Sequence, residues 1–254
     1  MFKGIRISIL LFILASVALG TWRTKAQSVE WRHVLPVNIY LINGDGSAIT
    51  ADYLRGLTLA DFKHLETFMR DEAERYGRSG KASIEIRLGG RIDTHPPAPP
   101  HNGGALDVMI WSLKMRWWAY RNTETVGPGP QVKMFLLYFD PAQRKRLEHS
   151  TGLQKGLIGR VNIFAARNMA NQNNVVIAHE FLHTLGASDK YDPATNLPLY
   201  PDGYANLDSK PLLPQRYAEI MAGRTPLSPA EAVTPPSLDD ALIGTKTAQE
   251  INWM

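Results

Sequence analysis

Apolar positions along the chain follow two different spacings, and the spacing switches several times. Residues 35–42 (LPVNIYLI) form a short, nearly continuous apolar run closed by Asn43-Gly44-Asp45-Gly46, which predicts a strand ending in a turn. Over residues 57–76, Leu59, Phe62, Leu65 and Phe68 or Met69 recur at helical spacing up to a stop at Gly77. A second strand is predicted over 82–88, ended by Gly89-Gly90, and a second helix over 105–121. Residues 131–140 (QVKMFLLYFD) are almost wholly apolar, as expected of a strand buried on both faces. Residues 157–166 (LIGRVNIFAA) predict a fourth strand, leading through Asn168 to Asn174 into a helix. This order implies an α/β layer structure with a mostly parallel sheet. From Asp189 onward Tyr191, Asp192, Pro198, Tyr200, Pro201, Gly203 and Pro211 mark turns, and 237–253 predicts a closing helix.

The helix around residues 175–185 (VVIAHEFLHTL) carries the chemistry. His179 and His183 are four residues apart and project from one face, where both imidazoles reach one metal ion. Glu180 lies about 100° around the helix, beside the metal, where a carboxylate can take a proton from an attacking water. Ile177, Ala178, Phe181, Leu182 and Leu185 fall on the opposite arc and predict the packed face. Gly186 supplies the left-handed stop that turns the chain off the helix axis, so that Asp189 can return to the metal. Two nitrogens, one oxygen and an open position make a catalytic rather than a structural zinc site, with one zinc per chain. Asp192 is the rival third ligand, and the spacing from His183 favours Asp189.

Those residues resemble the metzincin clan of zinc metallopeptidases, whose extended motif is H-E-x-x-H-x-x-G-x-x-(H/D). His179, Glu180, His183, Gly186 and Asp189 stand at its five defining positions, and the aspartate resembles the snapalysin-like branch. Ala218-Glu219-Ile220-Met221-Ala222-Gly223 is similar to the clan's methionine turn, with Met221 beneath the metal. No tyrosine follows Met221, so a tyrosine ligand does not carry over. The resemblance implies a zincin-like α/β fold in which 27–186 form an upper and 187–254 a lower subdomain of one peptidase domain. It also implies an antiparallel edge strand that aligns an extended peptide, for which 157–164 is the candidate. Tyr200, Tyr204 and Tyr217 are candidates for an oxyanion partner, though packing is the commoner role of each.

Charge and composition narrow the setting. Lys3 and Arg6 precede an unbroken apolar run over 7–19, the pattern of a secretory signal, and Trp22 with Arg23 and Lys25 would equally suit an interfacial membrane anchor over 7–22. Export follows in either case, to the periplasm or the outside of the cell. Of 28 basic and 24 acidic residues, four basic ones lie within residues 1–26 and no acidic one does, so the remainder is formally neutral and no nucleic-acid partner is implied. The chain has no cysteine, hence neither disulfides nor a thiolate metal site. In the loop 94–104 (THPPAPPHNGG), His95 and His101 make a second metal site conceivable, although a solvated loop is the simpler reading. Trp111, Trp117, Trp118 and Tyr120 suit a sugar-binding or membrane-facing surface, but more often fill core between helix and sheet. The expected activity is that of an exported zinc endopeptidase acting on protein or peptide. A cell-wall or small-molecule amidase, or a zinc-stabilised binding protein of the envelope, are the alternatives.

Overall fold

The computed structural model describes residues 28–80, 83–100, 103–124 and 129–254. The leader and His101 lie outside the described residues. Strand β1 (Leu35–Asn43) is followed by helix α1 (Ala48–Arg55), helix α2 (Lys63–Arg75), strand β2 (Ile84–Arg91), helix α3 (Ala105–Asn122) and strand β3 (Val132–Phe139). Strand β4 (Thr151–Leu153), strand β5 (Ile158–Phe164), helix α4 (Ala170–Leu185) and, near the C-terminus, helix α5 (Thr245–Glu250) complete the main elements. The five strands form one sheet in the order β2-β1-β3-β5-β4, with β2, β1, β3 and β5 parallel and β4 antiparallel. The protein is therefore mixed α/β with a mostly parallel sheet, as its pattern predicts. No described helix is long and apolar enough to cross a membrane.

Two apolar layers sandwich the sheet, and β3 shows why its sequence is so apolar. Val132, Met134, Leu136 and Tyr138 pack on one face with α1, α2 and α4, while Phe135, Leu137 and Phe139 pack on the other with α3. A strand buried on both faces cannot alternate, because alternation would bury polar groups without partners. Ile177, Ala178, Phe181, Leu182 and Leu185 of α4 are all buried, which turns the opposite face of that helix toward the cleft.

Three expectations need correction, and one helix is added. Residues 157–164 are not the edge strand: β5 is interior, parallel to β3, and the antiparallel edge is β4, with Gly152 opposite Gly159. A three-residue strand carries no period, which is why the sequence hides it. The helix expected over 57–76 begins later, as a 3-10 turn over Leu59–Phe62 that runs into α2, with Thr58 and Asp61 closing its start. The added helix α1 is capped by the Ser47 hydroxyl, which accepts from the Thr50 N–H. The closing helix over 237–253 is broken into a 3-10 turn (Leu238–Asp240), a two-residue strand (Ala241–Leu242) and α5.

The aromatic helix α3 is split between the two readings. Trp111, Met115 and Ala119 are buried against the sheet, whereas Trp117 and Tyr120 are 63% and 72% exposed together with Leu106, Met109 and Leu113. The loop before it is irregular as expected. His95 there is exposed and bonds the Asn43 carbonyl, while Trp111 donates to the Pro97 carbonyl and pins the loop to α3.

Candidate metal centre

Helix α4 and the turn after it build the site. At its end Gly186 takes φ 112°, and its N–H bonds the carbonyls of Leu182 and His183. Only glycine adopts that angle without strain, and a Cβ there would also collide with the Gln154 side chain. The reversed chain brings Asp189 back over the histidines. His179 Nε2 and His183 Nε2 are 3.1 Å apart, and Asp189 Oδ1 lies 3.2 Å from the first and 3.1 Å from the second. Among the described residues these three form the one group of His, Asp and Glu side chains able to hold a metal ion.

The triangle fits a metal by its size and by its lone pairs. Ligands 2.0–2.1 Å from a tetrahedral zinc are about 3.3 Å from one another, close to the separations observed. His179 Nδ1 donates to the Ile220 carbonyl at 3.0 Å, and His183 Nδ1 donates to the Ala187 carbonyl at 2.8 Å. Those bonds fix the hydrogen on Nδ1 and leave a lone pair on each Nε2. Two imidazole lone pairs and a carboxylate oxygen then face one another, an arrangement that requires a cation between them.

A proton serves when no metal is present. Burial works against a charged His179, but the Asp189 hydrogen bond, the Glu180 charge and the Ile220 carbonyl outweigh it and raise the ring from 6.5 to about 9. Burial likewise opposes ionisation of Asp189, yet the hydrogen bonds from His179 and His183 hold its carboxyl below the ordinary range. A raised histidine stabilises the fold below its unfolded value of 6.5, and that contribution disappears as pH rises through about 9. Metal-free protein is accordingly expected to melt at a lower temperature near about pH 9.5 than near about pH 6.5, and metal-loaded protein to lose most of that difference. Thermal melts with and without chelator check this, and a metal-free midpoint that rises with pH over that interval would contradict it.

Glu180 is buried, with 6% of its surface exposed, and among the described residues its Oε2 has no hydrogen-bond partner. Burial raises its pKa, the charges of His179 and His183 pull it back, and Asp189 adds to the rise. A carboxylate held this way is a base without an internal partner. Glu180 lines a cleft of about 440 Å3 together with His179, His183, Asp189, Tyr191 and the strand residues Thr151 and Gly152.

Strand β4 forms one wall of that cleft, and Gly152 is what lets it come so close. A Cβ at position 152 would collide with the Cβ of His183 and stand 2.6 Å from the Glu180 carbonyl oxygen. Gly152→Ala is expected to destabilise the protein by about 1–3 kcal/mol and to displace His183 enough to weaken metal binding. A melting temperature and a metal affinity both equal to those of the wild type would refute this close packing.

The turn Ile220–Ala222 adjoins His179. Ile220 supplies the carbonyl that His179 bonds, Met221 is fully buried, and its carbonyl accepts from the Lys190 N–H. Glu219, also fully buried, fastens the turn to the C-terminal segment by accepting from Ala222 N, Gly244 N and the Thr247 hydroxyl. Met221 is thus a packing residue close to the ligands.

Four expected candidates fall elsewhere. Asp192 accepts from the N–H groups of Ala194 and Thr195 and holds its own turn, away from the three-ligand cluster. Tyr217 lines a separate groove with His64 and Glu72, and Tyr200 and Tyr204 pack against each other. The tyrosine in the cleft is Tyr191, its ring 6.4 Å from that of His179, and burial keeps its phenol protonated. Its position depends on the bridge between Tyr191 and Pro198, which no sequence period announces.

Fold and site together define a mixed α/β protein with a candidate catalytic metal centre. No protein-family model matches the chain, and no curated protein does. Among solved structures, OgpA from Akkermansia muciniphila is similar at 13% identity and a TM-score of 0.38, over 85% of this chain and 59% of that one. The likeness therefore spans less than two thirds of that protein's length.

Proposed function

We propose that this protein is a metzincin-type zinc endopeptidase, exported by its leader segment. The observation that carries the reading is a metal-sized His179, His183, Asp189 triangle in one cleft with Glu180, a lining residue whose buried Oε2 has no partner among the described residues. A purely structural metal would have no use for that oxygen, which weighs against a non-catalytic binding protein. The outer edge of β4 supports a peptide substrate, because it ends the sheet and can pair with one more extended chain.

When bound, zinc supplies Lewis acidity, polarising the scissile carbonyl and making a water more acidic. The protein's own residues do the rest. Glu180 takes the proton from the water as its oxygen adds to the carbonyl carbon, then delivers that proton to the nitrogen as the C–N bond breaks. Tyr191 is protonated and lines the cleft, which suits it to donate a hydrogen bond to the negative oxygen. Water and peptide are consumed, and a carboxylic acid and an amine leave. Incubating the zinc-loaded protein with casein and, separately, with isolated cell-wall material tests the substrate class. Cleavage of casein is expected, and release of fragments from cell wall alone would favour the amidase.

A further inference from the structure

A second cavity, of about 170 Å3, adjoins the metal cluster and shares His179 and Tyr191 with it. Val175, Val176 and Ala222 make it partly apolar, Asn196 and Thr234 add polar groups, and Arg224 is the cation in its wall. Among the described residues no carboxylate lines it. Arg224 is half-buried, and among the described residues its side chain has no ion pair and no hydrogen bond. Arg75, by contrast, pairs with Glu72 and the Ile243 carbonyl, and Arg167 with Asp61 and the Gly56 carbonyl, while the buried Arg160, whose Nε and Nη1 also have no partner among the described residues, does not line this cavity.

The backbone around Arg224 is well fixed. It follows Gly223, whose φ of 68° ends the turn that carries Met221 and the Ile220 carbonyl bonded by His179. One turn therefore orients His179 and places Arg224 in the wall of the neighbouring cavity. A guanidinium that has lost part of its water without gaining an acceptor leaves donors to be satisfied by whatever enters, and a carboxylate matches its fork in both charge and shape.

Resting on the peptidase reading, we propose that this cavity receives the substrate residue beside the scissile bond and that Arg224 selects a carboxylate there. Two sources have that chemistry: an aspartate or glutamate side chain, and the substrate's own C-terminal carboxylate. The apolar wall suits the methylene stem of a side chain, and the arginine its end.

Three hydroxamates that bind through the metal separate the possibilities without requiring turnover. One bears a carboxyethyl side chain, the second its carboxamide isostere, and the third a neutral side chain with a free terminal carboxylate. Calorimetric titration of zinc-loaded wild type is expected to show the carboxyethyl compound binding about tenfold or more tighter than the carboxamide. Arg224→Ala should abolish that difference and Arg224→Glu reverse it, with zinc content and melting temperature unchanged. If the third compound shows the gain and the first does not, the carboxylate recognised is the chain end. Equal binding of all three to wild type would overturn the role of Arg224 and leave the metal site standing. Failure of every hydroxamate to bind zinc-loaded protein would overturn the peptidase reading, and the subsite with it.

Discussion

Glu180→Gln is expected to lower peptide turnover by about three to four orders of magnitude while zinc content stays at the wild-type level. The amide keeps the shape of the carboxylate but cannot take a proton from water. Glu180 does not belong to the ligand triangle, so its loss leaves the three ligand atoms in place. Stability should hold or improve, because burial already works against the charged carboxylate and a neutral amide is cheaper to bury. Turnover on casein, atomic absorption and a thermal melt on the same sample read all three quantities. Turnover near the wild-type rate would remove Glu180 from its role as base.

Asp189→Ala is expected to weaken zinc binding by more than about a hundredfold, while Asp192→Asn leaves it within about twofold. Asp189 supplies the anionic corner of the triangle, 3.1 and 3.2 Å from the two imidazole nitrogens. Without it two neutral histidines remain, too few to hold a tetrahedral metal firmly. Among the described residues the Asp192 carboxylate accepts from backbone N–H groups of its own turn alone. Competition titration against a chromophoric chelator gives both affinities. The reverse ranking would make Asp192 the third ligand.

How much of this was legible beforehand depended on whether local geometry or distant packing decided each feature. The placement of His179, Glu180 and His183 follows from helical periodicity alone. Asp189 was legible because Gly186 must reverse the chain at that point, and its φ of 112° is what the motif demands. Strand β3 could be read because burial on both faces leaves an unbroken apolar run. Strand β4 could not: Thr151, Gly152 and Leu153 are extended because β5 and α4 hold them so, and three residues carry no pattern. In α3 nearly every side is apolar, so spacing could not tell that Trp111 packs inward while Trp117 faces out. Tyr191 reads in sequence only as a turn residue for a related reason, since its place in the cleft is set by the Pro198 bridge and not by any motif.

In the proposed peptidase, hydrolysis depends on a metal held by His179, His183 and Asp189. The most direct test measures metal content and casein cleavage on one preparation, before chelation, after chelation, and after zinc is returned. About one zinc per chain is predicted, with cleavage lost on its removal and restored by its return. Protein that binds no metal, or that cleaves equally well after the metal has been removed, would contradict the central claim.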